Sequence, residues 1–98
     1  MALNNNQRRY LRGLSHDLHP LVTVAERGLV PSVLKEIEIA LAHHELLKIR
    51  ISAADRDAKA GLIDSLLETS GAELVQKIGH VVSIYRANPE APKLELPR

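Results

Sequence analysis

Leu21-Val22-Thr23-Val24-Ala25 is a short β-branched run, and Leu47-Lys48-Ile49-Arg50-Ile51 alternates strictly between apolar and basic residues. Both patterns read as strands, the second with Leu47, Ile49 and Ile51 on the inner face and Lys48 and Arg50 on the other. Between them stand the turn Glu26-Arg27-Gly28 and then Pro31, placed where the first residue of a helix belongs. A long helix is predicted from there to about His44. Its apolar positions Val33, Leu34, Ile37, Ala40 and Leu41 fit a helical repeat. Strand, helix and strand in this order imply a right-handed crossover and a parallel pair.

Working outward, Asn5-Asn6 is expected to cap a first helix running to about His16, with Tyr10, Leu11, Leu14 and Leu18 on its apolar side. Pro20 disfavours its continuation. Downstream, Asp55 and Asp57 open a third helix that Gly71 closes, and Leu62, Ile63, Leu66 and Leu67 form its buried stripe. Glu73–Ile78 and Val81–Arg86 are predicted strands joined tightly at Gly79-His80, which suggests a hairpin. A second strand–helix–strand step implies a second parallel pair. The expected fold is a single α/β domain in the order α-β-α-β-α-β-β, a mixed four-stranded sheet packed with helices. Polar residues along one side of the second and fourth strands suggest that one sheet face is only partly covered. The domain is expected to span residues 1–86. Residues 87–98 hold Pro89, Pro92 and Pro97 and are expected to be extended or frayed.

The 98 residues, 45% apolar, suffice for one domain. With no cysteine, disulfides, thiolate nucleophiles and cysteine-ligated metals are excluded. No apolar run approaches a membrane span, and the first residues lack an apolar signal segment, so a soluble cytoplasmic protein is expected. His43-His44-Glu45 resembles a metal cluster. Neighbours on a helix point about 100° apart, however, so the two imidazoles do not converge on one ion. There is no G-x-G-x-x-G, no Walker-type loop and no strand–turn–Ser–helix context. No enzyme activity, cofactor, metal or small-molecule substrate is expected.

The net charge of +1 hides a separation. Residues 1–35 carry five basic residues against two acidic, residues 36–73 four against eight, and residues 74–98 four against two. Such a chain can present a basic face to an anionic partner, the alternative being an ordinary solvated surface. With aromatics at 2%, base stacking of the RRM or OB type is excluded, and contact with a nucleic acid would run through phosphates. Three candidate groups emerge. Arg8, Arg9 and Arg12 lie on the first helix, with Arg8 and Arg12 sharing a face. Glu26, Arg27 and Gly28 form a turn before a helix start, where backbone N–H groups favour an anion. Lys48 and Arg50, joined by Lys77, His80 and Arg86, would make a basic strand surface. A solvated helix face, a plain turn and a solvated strand face are the corresponding ordinary readings.

Together these residues resemble the YhbY proteins, the stand-alone form of the CRM domain (chloroplast RNA splicing and ribosome maturation). The likeness runs from Gln7 to Arg86. It is carried by Gln7-Arg8-Arg9-Tyr10-Leu11-Arg12-Gly13-Leu14, Gly28-Leu29, Val33-Leu34-Lys35-Glu36-Ile37, His43-His44-Glu45-Leu46-Leu47-Lys48-Ile49, Ile78-Gly79-His80 and Tyr85-Arg86. The resemblance implies a fold like the C-terminal domain of a bacterial translation initiation factor. It also implies RNA binding and association with precursors of the large ribosomal subunit, so that rRNA and ribosomal proteins are the expected partners. Ala25 stands where the family's G-x-x-G loop has its first glycine, and His80 where its last hairpin has lysine. The competing reading is a protein-interaction module whose acidic helices dock a basic ribosomal protein.

Overall fold

The computed structural model describes residues 3–98 and contains seven elements. These are α1 (Asn5–Ser15), β1 (Val22–Val24), α2 (Pro31–His44), β2 (Leu46–Ile51), α3 (Arg56–Ser70), β3 (Glu73–Ile78) and β4 (Val81–Tyr85). The order is the one expected.

Local chemistry sets the boundaries. Asn4, rather than Asn5 or Asn6, caps α1. The Gln7 backbone N–H donates to Asn4 Oδ1 at 2.8 Å, and the Asn4 N–H donates to Gln7 Oε1 at 3.0 Å. Only Asn4 has a glutamine three residues on, so only Asn4 closes this reciprocal box. The helix ends at Ser15, which leaves Leu18 outside it and exposed, and Tyr10 is exposed as well. The Ala58 N–H donates to Asp55 Oδ1 at 2.8 Å at the start of α3, and Gly71 ends that helix with φ +73°. β1 is shorter than the run Leu21–Ala25, because the Ala25 carbonyl accepts from the Gly28 N–H at 2.8 Å and turns the chain.

The sheet order is β1-β2-β4-β3. β1 and β2 are parallel, and β4 is antiparallel to both β2 and β3. The second expected parallel pair therefore does not form. β3 runs in the same direction as β2, but β4 folds back between them. Burial accounts for this choice. Val82, Ser83, Ile84 and Tyr85 are all buried, whereas β3 ends in the exposed residues Lys77 and Ile78, which suit an edge.

The two faces are covered differently. α2 and α3 lie on one face, where Ile37, Leu41, Ile63 and Leu66 meet Val24, Leu47, Ile49, Ile51, Val82 and Ile84. Of the core expected from periodicity, Leu47, Ile49, Ile37, Leu41 and Leu66 are buried. Leu62 is only partly so and packs at the margin. On the other face, α1 and the C-terminal tail build a smaller core from Leu3, Leu11, Leu46, Val75 and Tyr85, closed by Leu14, Leu94 and Leu96.

The tail has no helix or strand, yet it is docked rather than frayed. Glu45 sits at the α2–β2 junction with φ +61° and is only 1% exposed. Its carboxylate accepts from the backbone N–H groups of Asn88 and Lys93 at 2.6 Å and Leu94 at 2.7 Å. Burial alone would raise this carboxyl's pKa. The three N–H donors and the Lys93 charge outweigh it, and the pKa lies below the ordinary value.

Candidate nucleic-acid interface

α1 is only eleven residues long, so it covers one half of its sheet face and stops. Ser15 is buried at its last turn. The Lys48 ammonium reaches from β2 and donates to the carbonyl oxygens of Ser15 at 2.9 Å and Leu18 at 3.3 Å, a cation at the negative end of the helix. Beyond this point the face is bare. Strand register lines up Thr23, Arg50, Val81 and Ile78 in one row, and Lys48, Ser83 and Gln76 in the next.

The segment leaving α1 forms a wall beside these rows. His16 and Pro20 on that wall, with Lys48, Arg50, Gln76 and Ile78 on the sheet, enclose a cleft of about 350 Å³. Its apolar surface comes from Pro20, Val81 and Ile78, the last 65% exposed. Arg50 is exposed at the rim, opposite Thr23 and Val81 in the ladder.

The bare half lies at the end of the sheet where three connections meet. β1 and β2 finish there, and β4 begins there. The Ser52 N–H donates to the Val24 carbonyl at 2.8 Å, and the Ile51 N–H to the His80 carbonyl at 2.7 Å. The Lys59 ammonium adds a 2.8 Å bond to the Gly79 carbonyl and ties the hairpin tip to α3. The turn Ala25–Gly28 therefore stands at the same end as Arg50 and His80. Gly28 has φ +77°, and a Cβ there would lie 3.4 Å from Leu62 Cδ2. Glycine supplies the left-handed backbone this turn needs. Among the described residues positive φ falls at Gly28, Glu45, Gly71 and Gly79, so Ala25 closes the turn without a left-handed backbone. Arg27 and Glu26 are exposed.

The other cations separate. Arg9 and Arg12 are exposed on α1, whereas Arg8 is half-buried and donates to the Leu74 carbonyl where β3 is irregular. Lys77 pairs with Val82 and so lies on the sheet face that α2 and α3 cover, at the free edge. Arg86 follows the sheet at its opposite end. There it donates to Glu38 Oε1 at 2.7 Å and to the Ser70 carbonyl at 3.0 Å. That hydrogen bond from Arg86 holds the Glu38 carboxyl below its ordinary pKa. The structure thus groups Lys48, Arg50, His80 and the Arg27-Gly28 turn at one end of the sheet, and it sets Lys77 and Arg86 apart.

Gln76, Ser83, His16 and Pro20 lie outside the three basic groups to which the sequence pattern points. Ser83 carries a signal, as a small hydroxyl residue within the otherwise apolar run Val81–Tyr85, whereas Gln76 does not stand out beside Glu73 and Lys77 in its half-polar strand. Among the described residues no group of three or more ligating side chains is suited to a metal, and no helix is long and apolar enough to cross a membrane.

Comparison with known proteins decides the lineage. The profile of the CRS1/YhbY (CRM) domain matches residues 3–86. The chain belongs to the CRS1/YhbY (CRM) domain family. Among CRM relatives, a protein of Haemophilus influenzae named RNA-binding protein is 44% identical over 97 residues, covering 99% of this chain and 97% of that one. A Pseudomonas aeruginosa protein named Probable RNA-binding protein PA4753 is 42% identical over 93 residues, covering 95% and 89%. The solution structure of the hypothetical protein SAV1595 from Staphylococcus aureus shares the fold with a TM-score of 0.82. It is 35% identical and covers 98% of this chain and 100% of that one. All seven elements described above are thus covered by a CRM relative, and the domain and its docked tail are spanned together.

Proposed function

We propose that this CRM protein binds rRNA in precursors of the large ribosomal subunit and acts in their assembly in the cytoplasm, by contact and without catalysis. The observation that carries the reading is the bare half of the sheet face. Two basic residues of β2 flank a cleft there, at the end of the sheet where the Arg27-Gly28 turn stands. The names of the bacterial relatives support RNA as the ligand.

Phosphates are the natural contacts. Arg50 and Arg27 are exposed, and a guanidinium matches a phosphate with two parallel hydrogen bonds. Arg9 and Arg12 extend the basic surface along α1. Lys48 contributes positive potential while it holds the helix end, and the exposed His80 stands at the same end of the sheet as Arg50. Glu26 and Gly28 shape the turn. Arg8, Lys77 and Arg86 take secondary places, Arg8 and Arg86 because backbone or carboxylate partners already occupy them.

Crosslinking in cells followed by sequencing of the attached RNA tests this reading. Enrichment of large-subunit rRNA and its unprocessed precursors is expected. Recovery of ribosomal proteins without crosslinked RNA would overturn it in favour of a docking module built on the acidic helices.

A further inference from the structure

The cleft beside Lys48 and Arg50 is more than a basic surface. Ser83 is only 2% exposed and still lines it, and Gln76 stands next to Ser83 in the same cross-strand row. Neither side chain makes a hydrogen bond to another described residue. A carboxamide offers a donor and an acceptor together, and a hydroxyl offers either. Around them Pro20, Val81 and Ile78 give aliphatic surface, and Arg50 and Lys48 give positive charge. At about 350 Å³ the cleft falls at the small end of the range for small-ligand sites, about 300–1,000 Å³.

We infer that this cleft receives one unpaired nucleobase, so that the protein selects RNA interrupted by a bulge or loop over continuous duplex. The inference rests on the RNA-binding reading above and names what part of the RNA that site takes. A base has two flat apolar faces and a polar edge, and its flanking phosphates are anionic. The cleft offers these in the same order, with aliphatic walls, an amide and a hydroxyl at the strand surface, and Arg50 on the rim. A continuous A-form helix has nothing to insert, because its bases are stacked and its major groove is too deep and narrow for side chains. An apolar side chain of a partner protein would fit the walls but would leave Gln76, Ser83 and the cations unused.

No Phe, Tyr or Trp lines the cleft, and His16 on its wall is the one ring there, so a seated base leaves its stacked neighbours for a largely aliphatic surface. 2-Aminopurine is quenched by stacking on neighbouring bases, and it brightens when it leaves the stack for an aliphatic surface. Two hairpin RNAs of equal length carry the probe, one at a single-nucleotide bulge and one at a paired position in an uninterrupted stem. The wild-type protein is expected to brighten the bulge probe and leave the paired probe unchanged. It should bind the bulged RNA on the order of ten-fold more tightly, the scale of about one net hydrogen bond from Gln76 or Ser83 to the base edge. The double variant Gln76→Ala, Ile78→Ala should bind both RNAs alike, at the affinity of wild type for the stem, with no brightening. Circular dichroism checks its fold, and the wild-type fluorescence result stands without it. Equal wild-type affinity for the two RNAs, or no brightening at the bulge, would overturn the cleft assignment and leave RNA binding intact. Failure to bind either RNA would overturn the RNA reading itself.

Discussion

The Lys48 ammonium lies 2.9 Å from the carbonyl oxygen of Ser15, the last residue of α1. One strand residue therefore ties the end of the helix to the sheet, at the boundary between its covered and bare halves. Its neighbour on the same face, Arg50, makes no such bond and is exposed. Two cations that look alike in the alternating pattern thus differ in place: Lys48 is engaged in building the face, and Arg50 is left exposed for the RNA contact proposed above.

That division predicts different costs. Lys48→Met keeps most of the aliphatic stem but removes the donor from the Ser15 and Leu18 carbonyls. It should lower stability by roughly 1–2 kcal/mol, the low end of the range for hydrogen bonds to charged groups, because Lys48 is only half-buried. Arg50→Met, at an exposed position, should stay within about 0.5 kcal/mol of wild type. Denaturant midpoints compare the two directly, and equal midpoints would contradict the structural role of Lys48.

The larger core makes a heavier demand. Ile49 and Leu66 are fully buried between the sheet and the helix layer. Truncating either to alanine should cost roughly 2–5 kcal/mol, because methyl groups leave both contacts and a cavity behind. Unchanged unfolding curves for both variants would refute this core.

Glu45 ties stability to pH. Its folded pKa is depressed below 4.5, so its contribution is fully present above that value and is lost as pH falls through the lower folded pKa. Glu45→Gln removes the charge that Asn88, Lys93 and Leu94 point at. The variant should be less stable than wild type at neutral pH, and the gap should close on acidification below about pH 4.5. Urea titrations over a pH series check this, and a gap independent of pH would contradict it.

Much of this fold was legible because its signals are local. Helical periods in α2 and α3, Pro31, Asp55, Gly71 and the Leu47–Ile51 alternation each act within a few residues. The position of β4 between β2 and β3 was not legible, because it depends on which strand buries better across the whole sheet. The site divides in the same way. Arg50 stood out through the alternation of its strand. Arg8, Lys48 and Arg86 read as free cations, yet each ends on a backbone carbonyl, of Leu74, Ser15 and Ser70 respectively. A carbonyl belongs to every residue and leaves no mark in the side-chain pattern. Glu45 was hidden likewise, since its partners are main-chain N–H groups some 43–49 residues away.

The turn offers a probe that does not touch the core. Arg27 is exposed, so Arg27→Glu should leave the circular dichroism spectrum and unfolding midpoint unchanged while weakening binding to a large-subunit rRNA fragment. Glu68→Ala on α3 serves as the control and should bind as wild type does. Wild-type affinity in a folded Arg27→Glu protein would remove the turn from the interface.

The most direct test is a titration of that rRNA fragment at stepped salt concentrations with wild type and Arg50→Ala. Phosphate contacts release counterions, so about four to six of them give a log–log slope of roughly −3 to −4 on single-stranded segments. Loss of one contact should make the slope shallower by about one for Arg50→Ala and weaken binding. A flat salt response in wild type, or identical slope and affinity in the folded variant, would contradict a phosphate-reading surface on the bare half of the sheet.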